Sequence, residues 1–308
     1  MLQRRIWGTV LVAAALAAPY AVYPVFLMKA LCFGLFAVAF NLLLGYTGLL
    51  SFGHAAFFGF AAYVTGHAMK EWGATPELGI LAGVAVAAAM GLVFGVLAIR
   101  RLGIYFAMVT LALAQMVYFF CVQAPFTHGE DGIQAIPRGK LFGLLPLDDM
   151  YVLYYVVLAV FGIGVWIVWR AIHSPFGQVL AAIRENEPRA ISLGYRTERF
   201  KLAAFVLSAT LAGLAGSVKT LVFQLASLTD VQWHTSGEVV LMTLLGGMGT
   251  ALGPVVGAFV VTTIENYLAD IGAWVTIIQG VIFVLVVTLF RRGIVGEALA
   301  FIERSRRR

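Results

Sequence analysis

Ser51 and His54 are the first residues in this chain that suggest chemistry: a hydroxyl and an imidazole three positions apart. They lie in the run Gly45-Tyr46-Thr47-Gly48-Leu49-Leu50-Ser51-Phe52-Gly53-His54. Nucleophilic catalysis needs a base that takes the serine proton and a third group that orients the base. The serine lies in Gly-x-x-Ser-x-Gly rather than the Gly-x-Ser-x-Gly elbow, and no second catalytic histidine can be assigned. An intramembrane serine protease is therefore a poor fit. The other histidines, at 67, 128, 173 and 234, show no metal-ligand spacing. Cys32 and Cys121 both sit in apolar surroundings and read as buried small residues rather than as a disulfide. Two ionisable residues, Lys219 and Glu238, fall in apolar runs. Such a group inside a membrane is a functional candidate by default, although a lysine near an interface can snorkel. The chain lacks G-x-x-x-x-G-K-[ST], and its one Gly-Lys pair, Gly139-Lys140, is followed by Leu141. It cannot hold ATP phosphates in the P-loop manner.

The elements that position these residues are set by composition. Of 308 residues, 61% are hydrophobic and 12% charged, and the mean hydropathy is +0.93. A soluble domain carries about 25% charge, and 36 ionisable Lys, Arg, Asp and Glu side chains cannot cover so much apolar surface. The chain is an integral membrane protein, which excludes a soluble enzyme and, despite a pI near 9.4, a nucleic-acid binder. No soluble domain of the usual size fits beside the spans.

Apolar runs predict spans near 7–23, 28–46, 53–69, 79–99, 103–122, 151–169, 201–224 and 274–290. The start, with Arg4 and Arg5, is expected to be an uncleaved first span rather than a signal peptide. Sixteen of the 21 Lys and Arg residues fall before span one, at 100–101, in 170–201 and after 290, regions expected to be cytoplasmic by the positive-inside rule. That assignment requires 237–268, interrupted by Gly246, Gly247, Gly249, Gly253, Pro254 and Gly257, to cross an even number of times. The expected fold is all-α and polytopic, with about 8–10 transmembrane helical segments including broken or re-entrant helices, and both termini cytoplasmic. Residues 1–308 read as one transmembrane unit, with an external loop at 123–149, a cytoplasmic loop at 173–200 and a basic tail at 291–308.

Non-helical backbone at membrane depth survives only where protein or a water-filled cavity supplies hydrogen-bond partners, so the breaks at 45–54 and 245–257 point to a translocation pathway. The candidates for its lining are Asn41, Gly48, Ser51, His54, Glu238, Gly246, Gly247 and Gly249. Most polar residues on the spans, including Gln115, Gln224, Thr243 and Gln279, are expected to hydrogen-bond between helices instead. Ala87, Gly91 and Gly95, and Ala209, Gly213 and Ser217, have the four-residue spacing that lets helix backbones approach, and packing accounts for both series.

The cytoplasmic connection from His173 to Gly194 predicts two short helices. Ser174 is placed to cap the first and Pro175 to open it. Pro188 ends the first helix near Glu187 and opens a second, which stops at Gly194. Thr197 then caps the next span. Val179, Ala182, Ile183 and Asn186 share one face, with Arg184, Glu185 and Glu187 off it. A charged knob anchored at both ends suits docking into a groove on a cytoplasmic partner. A helix pair lying on lipid is the alternative, against which the carboxylates at 185, 187 and 198 count.

With these segments in view, the chain resembles the LivM-type permease subunits of branched-chain amino-acid ABC importers. The resemblance rests on Asn41 to Phe57, Glu130-Asp131-Gly-Ile-Gln-Ala-Ile-Pro-Arg138, Ser174-Pro175-Phe176-Gly177, Ala182-Ile183-Arg184-Glu185-Asn186-Glu187, Leu193-Gly194-Tyr195, Ser236-Gly-Glu238 and Leu245 to Ala258. Each motif is a run of common small residues, but together and in order they cover nearly the whole chain. His128, where a glycine is expected, and Gln178, where a basic residue is common, depart from the pattern. The resemblance implies a multi-pass subunit of the bacterial inner membrane that pairs with a second, LivH-like permease, two cytoplasmic ATPase subunits and a periplasmic substrate-binding protein. It implies no cofactor in this chain, ATP and Mg being bound by the partners. It also makes 174–194 the coupling segment seated on an ATPase, through Ser174, Pro175, Phe176, Gly177, Ile183, Arg184, Glu185, Asn186, Glu187 and Gly194.

On that reading the loop with Glu130, Asp131 and Arg138 receives the binding protein, and the two breaks line the path. The solute is a branched-chain or related small amino acid, with urea, amides or aromatic acids as alternatives. A proton-coupled secondary transporter using His54 or Glu238 is the rival class, and it has no need of a charged knob.

Overall fold

A computed structural model describes residues 13–268, 274–289 and 293–297. The basic residues Arg4, Arg5, Arg291, Arg292, Arg304, Arg306, Arg307 and Arg308, on which part of the orientation argument rests, lie outside them, as does the side chain of Gln279. After α1, described over 13–21, come α2 (Pro24–Thr47), α3 (His54–Lys70), α4 (Pro76–Ala98), α5 (Ile104–Gln123), α6 (Met150–Ile172), α7 (Pro175–Glu185), α8 (Glu187–Ser192) and α9 (Thr197–Phe223). They are followed by α10 (Trp233–Gly246), α11 (Gly253–Tyr267) and α12 (Trp274–Leu289). Helices α2, α4, α5, α6 and α9 are long and apolar enough to cross a membrane.

Helix α2 is the axis. It is apolar on all sides, which suits a helix covered by protein all round, and it is buried without a gap from Ala30 to Leu43. Helices α6, α9, α10 and α11 surround it. Phe36 of α2 stacks on Phe58 of α3 at 4.6 Å between ring centroids. By contrast, α4 and α5 leave Leu81, Val93, Leu97, Met108 and Met116 exposed, the surface that lipid would cover. The small-residue series close the α4–α9 crossing, as packing requires. A Cβ on Gly91 would come within 2.6 Å of the Ala209 Cβ, and one on Gly213 would fall on the Ala87 Cβ. Both cysteines are free and buried.

The break at 45–54 is a chain reversal. Helix α2 ends at Thr47, and Gly48 takes φ +75°, a left-handed conformation that a β-carbon would penalise. Residues 48–53 then run back without helix to the start of α3. His54 there reaches Ser208 in the first half of α9, and that serine in turn reaches the Ala39 carbonyl of α2.

The segment 237–268, for which the charge pattern predicts an even number of crossings, resolves into two helices. The first, α10, begins earlier than the apolar run suggests, at Trp233. At 1.5 Å per residue α10 and α11 are each about 21–23 Å long, short of a bilayer core of about 30 Å. Their joint at 247–252 lies beside Gly45 and Arg184, whereas Glu265 near the far end of α11 pairs with Lys29 at the start of α2 at 3.1 Å.

Seven arginines (100, 101, 170, 184, 189, 196 and 199) gather at the end of the bundle that holds this joint. The opposite end carries the loop 123–149, which is less free than its sequence suggests. Its strand β1 (Ile133–Gln134) pairs antiparallel with β4 (Leu225–Ala226), with Ile133 opposite Ala226. A hairpin of β2 (Lys140–Leu141) and β3 (Leu145–Pro146) projects beyond it. Leu144, at the hairpin tip, and Met248, at the joint, are both exposed and lie at opposite ends. Single-cysteine variants Leu144→Cys and Met248→Cys are expected to react with an impermeant maleimide from opposite faces of a sealed membrane, Met248→Cys from the cytoplasmic face. Labelling of both from one face would overturn the orientation.

Candidate functional site

The two breaks meet, and Asn41 joins them. In a helix buried to the last turn, an amide side chain needs partners for both its donor and its acceptor. Asn41 finds both on the α10–α11 joint: its Oδ1 accepts from the Gly249 N–H at 3.0 Å, and its Nδ2 donates to the Thr250 carbonyl at 2.9 Å. One turn on, the Tyr46 hydroxyl donates to the Gly249 carbonyl at 3.0 Å. The joint also closes on itself. Thr250 Oγ1 donates to the Gly247 carbonyl at 2.8 Å and accepts from the Gly253 N–H at 3.0 Å. Glycine is required here by contact as well as by conformation. A Cβ on Gly45 would come within 2.8 Å of the Gly249 nitrogen, and one on Gly246 would fall on the Gly253 carbonyl oxygen. Of the candidate lining residues, Asn41, Gly48, Gly246, Gly247 and Gly249 thus belong to one junction.

Ser51 and His54 form a second, fully buried polar group at the start of α3. His54 Nε2 lies 2.8 Å from Ser208 Oγ. That hydroxyl donates to the Ala39 carbonyl at 2.5 Å, so the imidazole is the donor in the first contact. Ser51 Oγ accepts from the Gly53 N–H at 3.2 Å, while Ser236 Oγ of α10 accepts from the Ala55 N–H at 2.9 Å. Serine and histidine therefore do not face one another as nucleophile and base. They satisfy backbone and side-chain groups where α3 begins inside the bundle.

The helix pair at 174–194 forms, with changes from the sequence reading. Helix α7 opens on Pro175, and its Ser174 hydroxyl turns back to donate to the Ala171 carbonyl at 2.6 Å instead of capping. Helix α8 opens at Glu187, capped by Asn186, whose Oδ1 accepts from the Arg189 N–H at 3.1 Å. Gly194 has φ +89°, the expected left-handed stop. Arg196 rather than Thr197 holds the cap position of α9. The face expected to meet a partner is displaced. Gly177, Leu180 and Ile183 are buried against the body, whereas Ala182 and Asn186 of the anticipated stripe are exposed. A Cβ on Gly177 would collide with the Ile172 carbonyl, so glycine is what lets α7 fold back on the end of α6. Exposed Gln178, Ala181, Glu185, Ile191 and Leu193 are what this pair leaves for another surface.

Two charged contacts connect the pair to the bundle. Glu187 accepts from Lys201 Nζ at 2.5 Å, and that lysine is buried in the first turns of α9. Arg184 donates to the Gly45 carbonyl, with its aliphatic stem 3.3 Å from where a Gly48 Cβ would stand. Arg184 therefore touches the same stretch of α2 that Asn41 and Tyr46 tie to Gly249. The sequence marks Arg184 as charged and off the stripe but gives no sign of its carbonyl partner. Tyr46 and Thr250 fall inside motifs of the sequence without standing out there, Lys201 follows the helix pair, and the partners of all three are found only from the fold.

At the opposite end Glu130 and Asp131 are exposed, but Arg138 is spent on the fold: Nε and Nη2 donate to the Leu221 and Val222 carbonyls at the end of α9, at 3.1 and 2.8 Å. Lys219 pairs with Asp230, and Glu238 lies 3.4 Å from His234 one turn before it. Both intramembrane candidates thus have partners near this end. Among the described residues no cluster of His, Cys, Asp and Glu could hold a metal.

Over residues 24–287 the chain matches the family of the branched-chain amino acid transport system permease component. It is 28% identical to the high-affinity branched-chain amino acid transport system permease protein LivM of Escherichia coli (strain K12) over 80% of this chain and 63% of that protein. It is 27% identical to the ribose import permease protein RbsC of Bacillus subtilis (strain 168), over 58% of each. With the autoinducer 2 import system permease protein LsrC of Klebsiella pneumoniae the identity is 28%, over 64% of this chain and 56% of the other. The chain thus spans less than two thirds of the length of these relatives. No solved structure matches it.

Removing the Asn41 amide tests the junction. Asn41→Leu leaves the Gly249 N–H and Thr250 carbonyl without partners, at about 1–3 kcal/mol each. Its thermal unfolding in detergent is expected well below that of the wild type and of the neighbouring control Leu42→Met. Equal stability of Asn41→Leu and the wild type would show that the joint holds without it.

Proposed function

The chain belongs to the permease component family of branched-chain amino acid transport systems, and from that premise we propose that it forms half of the solute path of an ATP-driven importer. In this reading it is a multi-pass subunit of the bacterial inner membrane and a transporter part rather than an enzyme. A second permease completes the path, two cytoplasmic ATPases supply the energy and bind the ATP and Mg, and a periplasmic binding protein delivers the solute. The solute is a branched-chain or related small amino acid, a choice supported by the family and by the similarity to LivM. The similarity to permeases named for ribose and autoinducer 2 import supports a second reading, in which a different small polar solute is carried.

One observation carries the mechanism: Arg184, on the exposed helix pair, donates to Gly45 at the point where α2 is tied to the α10–α11 joint. A push on α7 and α8 from a docked ATPase reaches both broken segments through this contact, and α9 through Lys201 and Glu187. Short helices and non-helical joints can change their mutual angle without breaking a long hydrogen-bond ladder, and so can open a path on one side while closing it on the other. Ser51, His54 and the first turn of α3 lie behind this junction, fully buried and hydrogen-bonded within the bundle, and in this reading they support the wall of the path. The exposed Glu130 and Asp131 are the contacts for the binding protein at the other end, with Arg138 holding that loop in place.

Replacing Arg184 by Gln in the complete transporter, reconstituted in liposomes, is expected to lower solute uptake about tenfold, in the range that loss of one coupling contact produces. ATP hydrolysis should continue, so the solute moved per ATP falls. An unchanged ratio would remove Arg184 from the coupling.

A further inference from the structure

A groove on the lipid-facing side of the bundle has no part in this path. It opens between the end of α4 and the start of α9, at the arginine-rich end, and its mouth of about 150 Å³ is lined by Gly95, Val96, Ile99, Arg100, Glu198 and Arg199. Arg100 and Arg101, with Val96 and Leu97, border the recess next to it. From Arg199 the groove continues down α9 along Leu92, Leu202, Ala203 and Val206 to Thr210, a stretch of about 470 Å³ that is apolar throughout its depth. The floor exists because α4 and α9 touch through glycines. A Cβ on Gly95 would come within 2.5 Å of Leu202 Cδ1, so the two helices meet at this level and leave a furrow between their outward-facing side chains.

Three guanidinium groups stand at the mouth of an apolar slot, and among the described residues none of Arg100, Arg101 and Arg199 is within ion-pair distance of a carboxylate. Glu198 is the one carboxylate at the mouth, which leaves an excess of positive charge. The order of the two surfaces, cations at the membrane boundary and an apolar channel leading inward, is that of a phospholipid with its phosphate outermost. Basic pockets between transmembrane helices favour anionic headgroups. We propose that this groove is a binding site for one anionic glycerophospholipid of the arginine-side leaflet, with its phosphate on Arg100 and Arg199 and an acyl chain along Leu202 and Val206. The site is separate from the α2–α10–α11 junction, so it stands whichever solute the transporter carries. Its occupant would bridge α4 and α9 at the end of the bundle where α9 holds the coupling pair through Lys201.

Native mass spectrometry of the full-length chain, purified with its partner subunits, tests this with dioleoyl phosphatidylglycerol and dioleoyl phosphatidylcholine as probes. The wild type is expected to retain the anionic lipid at least about tenfold better than the neutral one, and the double variant R100Q/R199Q less than about twofold better. Should the double variant fail to fold, R100Q and R199Q singly should each reduce the preference about threefold. The control R170Q, an arginine at the same end outside the groove, should keep the full preference. Equal retention of both lipids by the wild type would overturn the site. So would a loss in R170Q as large as in R100Q/R199Q, which would mean a diffuse field of charge, or a photo-crosslinker at Val96 that captures the second permease in place of lipid.

Discussion

The structure depends on how one stretch of backbone without helix is satisfied where it packs against the bundle. A backbone N–H or carbonyl packed against protein and left unpaired costs about 1–3 kcal/mol. The joint at 247–252 exposes such groups, and Asn41 and Tyr46 supply the missing partners from α2. This is why α2 is central and buried all round: it must lie within hydrogen-bond reach of the joint. It is also why glycine recurs at 45, 246 and 253, since two backbones can come this close only where side chains are absent, while Gly249 takes the left-handed φ of +73°.

From that constraint the route of force follows. A joint held by side chains rather than by a continuous helix has discrete ways to rearrange, and the contacts that hold it are the natural places from which to move it. Arg184 reaches the Gly45 carbonyl from outside the bundle, so the helix pair that is free to meet another protein is already in contact with the joint's anchor. Lys201 and Glu187 fix the other end of the pair to the long helix α9. Both contacts lie at the arginine-rich end of the bundle, and neither needs a catalytic group.

Much of this was legible in the residues and some was not, for physical reasons. The spans, the broken segments and the two short helices follow from period, length and punctuation by Gly and Pro, which act locally. The division of 237–268 into two helices follows from the glycines and proline that interrupt it. The buried face of α7 was misread because Gly177 is fixed by the end of α6 that it packs on, which no pattern within the loop reveals. Arg138 looked like part of an external docking surface, yet the end of α9, 83 residues away, takes its hydrogen bonds. The ties of Asn41 span 208 and 209 residues, and a single polar residue in an apolar run states only that it needs a partner, not which one.

If Asn41 and Arg184 act through one junction, their losses cannot be independent. The most direct measurement is a double-mutant cycle on solute uptake by the complete reconstituted transporter, with Asn41→Ala, Arg184→Gln and the two combined. The account predicts that the double variant is no slower than the worse single variant by more than about twofold. Losses that multiply would mean that the helix pair and the joint work separately, and would contradict it.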